Sequence, residues 1–435
     1  MAFTTGSSLP RDLGYPGALM TDVDDHIAAA GAHLEAERPA EAAAAARRVL
    51  EARPDHGGAR VMLGLALTKL GRADDAIEAL ETAIGAGHAS AEAYNGLGKA
   101  HYDRLALDAA IAAFDAAIAI KPRWPVAHYH RGMALLLAGR LEAGWPEYEW
   151  RLNIPDFGHR HFNAPRWDGS PLAGRTLLVI CEQGYGDVFQ AVRYLPMLRG
   201  AGGRVVFECP GDLAALLAPL VPAADLVALT GRAPPDAPFD VYAALLSLPG
   251  CLGTTLETIP GDVPYLAADR ALCAPFEDAL AGPGFKVGLV WAGSPRHPDD
   301  RQRTARLRDF APLGGVPGVR LFGLQVGEAA AETPPPGLAV EALGPPLDSF
   351  GHTAAVIDRL DLVVTVDTAV AHLAGALAKP VWTLLPFAPD WRWLTERDDS
   401  PWYPTMRLFR QQTPGDWAGV MARVADALRA AAGAG

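Results

Sequence analysis

Asp367, Thr368 and His372 stand within six residues of one another, directly after the apolar run Leu362–Val366. That run suits a parallel strand covered on both faces, and Asp and Thr are residues that open helices. The turn between strand and helix then presents backbone N–H groups at the positive end of a helix dipole, where anions bind. His372, about one turn further on, can lean over the same spot. The pyrophosphate of a sugar nucleotide has the charge for such a corner. An ordinary capped helix with His372 packed beneath a loop uses the same residues, so both readings stand on these residues alone.

Three more segments carry groups of this kind. The loop Gly293 to Arg308 holds five arginines and two aspartates, in a chain whose net charge is -12. Guanidinium groups pair with phosphate oxygens in two-pronged fashion, so Arg301 and Arg303 could clamp a diphosphate and steady the charge that grows on a leaving nucleotide. Ser294 could add a hydrogen bond; a solvated, proline-rich surface loop is the alternative. The segment Pro386-Phe-Ala-Pro-Asp-Trp-Arg-Trp393 offers aromatic faces for a base or sugar, or else closes the end of a domain. Asp390 and Arg392 are its candidates for donor contact, and packing is the expected duty of most of its aromatic rings.

The corner Glu182-Gln-Gly-Tyr-Gly-Asp187 has glycines that permit a tight backbone and an aspartate at a helix start. That carboxylate could take a proton from an attacking hydroxyl or amide, and capping its own helix is the competing duty. Gln183 and Gly186 are expected to face the acceptor. The corner lacks the third glycine and the downstream acid of a dinucleotide fingerprint, which argues against a nicotinamide cofactor. Missing His-Glu-x-x-His and paired-cysteine motifs argue against a catalytic metal, and the Asp-x-Asp at Asp22 to Asp24 lies ahead of the repeats. Missing Gly-x-Ser-x-Gly and phosphate-loop lysine motifs weaken hydrolase and kinase chemistry.

The elements that must position these corners alternate strand and helix. Apolar runs at Leu177 to Cys181, Arg204 to Cys209 and Phe239 to Tyr242 predict strands, with helices through Val188, Val192 and Leu195 and over Leu213 to Leu220. Periodicity is lost from Ala267 to Gly284, which marks a boundary. Strands resume at Lys286 to Trp291, Val319 to Gln325, Leu362 to Val366 and Val381 to Leu385. Two open parallel sheets bind ligands beyond the carboxyl ends of their strands, and the singled-out corners all lie at such ends.

Ahead of the sheets the sequence repeats every 34 residues, at Gly64, Gly98 and Gly132 and again at Ala42, Ala76, Ala110 and Gly144. Pro54, His88 and Pro122 fall near the ends of successive units. Small residues let paired helices approach closely, and proline stops the second helix. The pattern resembles the tetratricopeptide repeat, best at Tyr94-Asn-Gly-Leu-Gly and Ala110 to Phe114, with a degenerate first unit around His26, Ala30 and His33. Such an array offers a concave surface to an extended peptide. Glu92, Asn95, Lys99 and Tyr102 are expected to line it, followed by Val126, Tyr129, Met133 and Leu136, although the last unit's apolar face could instead dock on the next domain.

Composition bounds these readings. At 435 residues the chain predicts about three domains, and 50 % hydrophobic with 20 % charged residues is that of a globular protein. An acidic chain with a pI near 5.5 has no excess of cations to displace counterions from nucleic acid. Cys181, Cys209, Cys251 and Cys273 lie far apart without pairs, as expected of thiols in a reducing cytoplasm. Met1 to Met20, with Arg11 as its only basic side chain, has Gly and Pro where a signal peptide needs an apolar core. No run of 18 apolar residues occurs, so no transmembrane segment is expected.

Taken together, Trp145 to Arg151, Trp167-Asp-Gly-Ser-Pro-Leu, Glu182 to Asp187, Val290-Trp-Ala-Gly, Val366-Asp-Thr-Ala-Val-Ala-His, Pro389-Asp-Trp-Arg-Trp and Ser400-Pro-Trp-Tyr-Pro resemble the bacterial tetratricopeptide-repeat glycosyltransferases. Their catalytic part is similar to the lipopolysaccharide heptosyltransferases, a two-domain fold of the glycosyltransferase B type. The resemblance implies inverting, metal-independent transfer, with the sugar nucleotide as substrate and no cofactor. It implies Asp187 as base and Asp367, Thr368, Ala369 and His372 as the donor-phosphate segment. Ala369 stands where those enzymes usually have glycine, a change that crowds the phosphate and disfavours a heptose donor.

The fold expected is α + α/β: an N-terminal helical repeat solenoid, then two Rossmann-like doubly wound halves. The divisions are a flexible tail over 1–21, repeats over 22–152, an acceptor-side half over 153–275 and a sugar-nucleotide half over 276–435. A repeat array fused to such a module implies a cytoplasmic enzyme whose repeats hold a protein acceptor, with flagellin the acceptor that such fusions suggest. Extension of a lipopolysaccharide or capsule glycan is the alternative within the class, and a non-catalytic repeat scaffold the alternative outside it.

Overall fold

The small residues that recur through the repeats are where helices meet. The computed structural model describes residues 17–157, 160, 162–229, 238–295 and 300–433, and the chain divides into two compact units, Met1–Ala127 and His128–Gly435. The first contains helices α1 (Gly17–Glu35), α2 (Pro39–Ala52), α3 (Gly57–Lys69), α4 (Ala73–Gly85), α5 (Ala91–Asp103) and α6 (Leu107–Ile120). Each packs on the next, and α3 also touches α1 and α5. Helix α7 (Pro125–Leu137) runs into the second unit, followed by α8 (Leu141–Tyr148).

A Cβ at Gly64 would lie 2.5 Å from Leu80, one at Gly98 would lie 2.5 Å from Phe114, and one at Gly132 would lie 2.6 Å from the backbone of Tyr148. Each glycine is followed by its partner sixteen positions on (64 to 80, 98 to 114, 132 to 148), so one close approach within a helix pair repeats. Ala42, Ala76 and Ala110 are fully buried. The turn inside each pair has its own repeat, a left-handed residue at Glu37, Gly71, Leu105 and Gly139. Glycine takes that conformation without a steric penalty, whereas Glu37 and Leu105 do not. Ser90 caps α5 by accepting the N–H of Ala93 at 3.1 Å. The expected tail is corrected in part, since 17–21 belong to α1; its remainder, 1–16, lies outside the described residues.

The second unit holds two parallel sheets. The first contains β1 (Thr176–Ile180), α9 (Tyr185–Ala191), β2 (Arg204–Cys209), α10 (Ala214–Leu217), β3 (Leu226–Ala228) and β4 (Val241–Ala244), in strand order β3-β2-β1-β4. Short helices α11 (Leu248–Cys251) and α12 (Glu277–Leu280) lead to the second sheet. This comprises β5 (Phe285–Val290), α13 (Asp300–Arg303), β6 (Val319–Gly323), β7 (Val340–Glu341), α14 (Phe350–Asp358), β8 (Leu362–Val366), α15 (Ala369–Ala376), β9 (Val381–Leu385), β10 (Met406–Arg410) and α16 (Trp417–Gly433). Its order is β10-β9-β8-β5-β6-β7.

Each sheet reverses direction of growth once, between β1 and β4 in the first and between β5 and β8 in the second. Crevices form at such reversals, and the turns after β1, β5 and β8 open there. Val287, Leu289, Val364, Val366 and Leu384 are buried beneath Val420, Met421, Val424 and Leu428 of α16. Burying each such side chain stabilises the fold by about 1.5–3 kcal/mol, which makes the strands rigid mounts.

Several boundaries differ from expectation. Leu213 to Leu220 is not one helix but a four-residue α-helix between two 3-10 turns, because Pro219 cannot supply an N–H to a continuous ladder. The stretch 267–284 contains a 3-10 helix at Arg270–Phe276 and α12. Strands β3, β7 and β10 and helix α16 were not anticipated. Among the described residues no helix is long and apolar enough to cross a membrane.

Candidate functional site

The β1 corner begins with Glu182, buried, and Gln183, held at φ 60 and exposed. Gly184 then leads into α9, where Asp187 Oδ2 accepts the Gly184 N–H at 2.9 Å. Asp187 therefore caps its helix. Its other oxygen accepts a hydrogen bond of 2.5 Å from Arg392 Nη2, on the loop after β9. Arg392 also donates through Nη1 to Asp390 at 2.9 Å and through Nε to Gln190 at 3.3 Å. Burial pulls the guanidinium pKa down, but Asp390 and Asp187 outweigh it and hold Arg392 above its ordinary value. The expected donor contacts Arg392 and Asp390 thus grip each other, and Arg392 is only 5 % exposed.

The β8 corner is drier. Asp367 accepts the Trp393 indole N–H at 2.8 Å on its side chain and an Arg303 N–H at 3.1 Å on its carbonyl. Burial, and then the charge of Asp390, push the Asp367 carboxyl up to about 6. His372 Nδ1 is 3.0 Å from the Tyr403 hydroxyl, and its ring stacks on Trp393 with centroids 5.2 Å apart. Burial holds His372 well below its ordinary pKa, helped by Arg392, Arg193 and Arg303. The imidazole is neutral, so its 3.9 Å approach to Asp367 is a contact and not a salt bridge. Thr368 caps α15 by accepting the Val370 N–H at 3.3 Å.

These corners touch. A Cβ at Gly186 would lie 3.0 Å from the His372 ring and 3.4 Å from Ala369 Cα, so the first turns of α9 and α15 meet in close contact at this glycine. Arg303 lies along the same junction with its side chain 15 % exposed, 3.8 Å from Asp300, and its Nε is buried without a hydrogen-bond partner. Ser294 on the loop after β5 and Arg301 in α13 are exposed, and residues 296–299 between them lie outside the described residues.

The expected acceptor contacts belong to both units. Gln183 Nε2 reaches the Tyr148 hydroxyl at 3.5 Å. Asn95, Lys99 and Tyr102 belong to α5 of the first unit, where Lys99 pairs with Asp103 and its ammonium lies 5.4 Å from the Tyr102 ring centroid. Tyr102 is buried. Tyr129, in the second unit, packs with Phe157 at 5.2 Å and Tyr148 at 5.8 Å. The aromatic residues Trp391, Trp393, Trp402 and Tyr403 are buried as packing.

Sequence reasoning missed Gln190, Arg193 and Arg151. Gln190 falls three residues after Asp187, which puts both on one face of α9, a spacing visible in the sequence. Buried Arg193 donates to the carbonyl of Trp402 at 2.5 Å and to the Tyr265 hydroxyl at 2.8 Å. Buried Arg151 donates to Glu182 at 2.7 Å and to Ser247 at 2.9 Å, fixing the β1 corner from below. Burial nevertheless keeps the Glu182 carboxyl above its ordinary pKa.

Residues 33–100 match the tetratricopeptide repeat family, and residues 319–396 match glycosyltransferase family 9 (heptosyltransferase). The chain is 29 % identical over 443 residues to Protein FlbA of Caulobacter vibrioides, covering 87 % of this chain and 74 % of that protein. Among solved structures it is similar to the glycosyl transferase family 9 from Veillonella parvula, with 14 % identity over 55 % of this chain and 87 % of that one and a TM-score of 0.42. A mutant O-GlcNAc transferase of Thermobaculum terrenum is 16 % identical, over 95 % and 93 % of the two chains, with a TM-score of 0.33. The chain thus matches, in this order along the sequence, the tetratricopeptide repeat and glycosyltransferase family 9, the two parts of a tetratricopeptide-repeat glycosyltransferase.

Proposed function

We propose that the chain moves a sugar from a nucleotide-activated donor to a protein held by its repeats, by inverting and metal-independent chemistry. The observation that carries this reading is the meeting of two corners, with the Asp187 carboxylate 20 % exposed on one and Arg303 and the start of α15 on the other. In the reaction Asp187 accepts the proton of an attacking hydroxyl or amide. The freed electron pair forms a bond to the anomeric carbon, and the bond from that carbon to the diphosphate oxygen breaks with its electrons leaving on the diphosphate. Arg303 and Arg301 of α13, with Ser294 from the loop ahead of it, meet that charge, aided by the N-terminal dipole of α15. Neutral His372 supports the α15 turn through Tyr403 and Trp393. The place of reaction is the cytoplasm, where sugar nucleotides and unmodified polypeptides coexist.

Flagellin is the first acceptor to test. Incubation of the full chain with flagellin and a panel of radiolabelled sugar nucleotides should label the protein with one donor. A donor that is turned over without labelled protein, but with labelled lipid-linked glycan, would redirect the reading to lipopolysaccharide or capsule. Nucleotide addition gives a second measurement: a ligand at one hundred times its dissociation constant adds about 2.7 kcal/mol to stability, whereas a pure scaffold shows no such shift.

A further inference from the structure

We propose that Arg392 is the positioning residue of Asp187: reaching from the loop after β9, it fixes the carboxylate in place and makes that placement depend on the loop after β9 seating against α9. The inference rests on the reading of Asp187 as proton acceptor. A guanidinium has five N–H donors, and Arg392 commits one each on Nη2, Nη1 and Nε to Asp187, Asp390 and Gln190. Two of those acceptors, Asp187 and Gln190, share one face of α9, while Asp390 stands two residues before Arg392 on its own loop. The fork therefore ties α9 to the β9 loop.

The loop itself is held on every side. The Arg392 carbonyl accepts the Trp402 indole N–H at 3.0 Å, the guanidinium lies 4.4 Å from the Trp391 ring centroid, and Trp393 is anchored on Asp367. A diphosphate could reach Arg392 only by breaking these contacts, because its side chain is 6 % exposed, whereas that of Asp187 is 20 % exposed. One oxygen of Asp187 is fixed by the Gly184 N–H and the other by Arg392, and a carboxylate has about four lone-pair sites, so an outer edge remains for an acceptor proton. The other ionisable groups around the pair are Asp390, Asp367, His372 and Tyr148. Arg392 neither gives nor takes a proton in the transfer. It sets the direction in which Asp187 takes one.

The test uses the full chain and five variants: Asp187→Asn, Arg392→Ala, Arg392→Lys, Gln190→Leu and Arg303→Ala. Turnover is read as nucleoside diphosphate released from a panel of UDP-, GDP-, ADP- and dTDP-sugars, and binding as Kd for the free diphosphates. Arg392→Ala should lower kcat by roughly a hundredfold while the diphosphate Kd stays within about threefold of wild type. Arg392→Lys should lose about tenfold, since an ammonium keeps the charge but not the fork. Added guanidinium should restore part of the kcat of Arg392→Ala and none of that of Asp187→Asn, an outcome that a merely structural role would not give. Gln190→Leu, which leaves the charge pair intact, should fall in the same direction by less and serves if Arg392→Ala does not fold.

The proposal is overturned if Arg392→Ala keeps its kcat, or if it weakens diphosphate binding as much as Arg303→Ala does. The underlying reading fails separately, if wild type turns over none of the donors or if Asp187→Asn is as active as wild type.

Discussion

The corners after β1 and β8 share one plan, a parallel strand, a turn carrying an aspartate and a helix, yet they leave their carboxylates in opposite circumstances. Asp187 keeps part of its surface outside and accepts a hydrogen bond from an arginine, whereas Asp367 is buried against an indole with its carboxyl pushed up to about 6. The difference follows from what covers each turn. The α9 turn faces a cation delivered by another loop, and the α15 turn faces Trp393, Tyr403 and the backbone of α9. One aspartate thereby stays partly open to solvent, and the other is sealed beneath its corner.

The contrast is broken most directly at Asp187. Asp187→Asn should lower transfer by about 100- to 10,000-fold with little change in diphosphate binding, as for loss of a general base; an active variant would remove the distinction between the corners. The next largest effect concerns Asp367. Its native carboxyl stands above the ordinary 3.8, at about 6, so the folded state holds the proton more tightly than the unfolded chain. Its stabilising contribution is complete below pH 3.8 and is lost as pH climbs through 6, by about 3 kcal/mol at most. Asp367→Asn keeps an oxygen for the Trp393 indole and should raise the urea midpoint at pH 7.5 but not at pH 4. Equal midpoints at pH 7.5 would mean that burial does not set this carboxyl apart.

Where the corners meet, Gly186→Val should destabilise the second unit by about 1–3 kcal/mol, because the added atoms have only the His372 ring and Ala369 to enter. A neutral result in urea denaturation would show that the two turns separate freely. Thr368→Ala should cost about 1 kcal/mol through loss of the α15 cap. Smallest is a control in the repeats: Leu105→Gly relieves a left-handed backbone and should stabilise the first unit by up to about 1 kcal/mol, with no effect on turnover.

Much of the frame was legible because hydrophobic runs and glycine spacing are local signals. Leu362–Val366 was read as a buried strand with its bounds intact, and the 34-residue period located the helix pairs. Strands β3 and β7 were not legible, since three and two residues are too few to show a period. The grip of Arg392 on Asp187 spans 205 positions and arises only when the β9 loop seats on α9, so no local pattern announces it. Arg303 was singled out for its charge, but its bond to the carbonyl of Asp367 depends on the neighbouring placement of β5 and β8. Tyr102 was expected to line a groove, and its ring is buried beside the Lys99 ammonium.

The recurring glycine contacts set a rule for how this array can change in length. In each helix pair the close approach joins two positions of the same copy, Gly64 with Leu80 and Gly98 with Phe114, and the sharp turn lies between them at Gly71 or Leu105. Duplication or excision of a whole copy carries both halves of the fit along with it. An insertion of one residue between them swings the partner about 100° around its helix and leaves the notch unfilled. The array is therefore free to be lengthened or shortened by whole copies, and closed to any smaller change inside one.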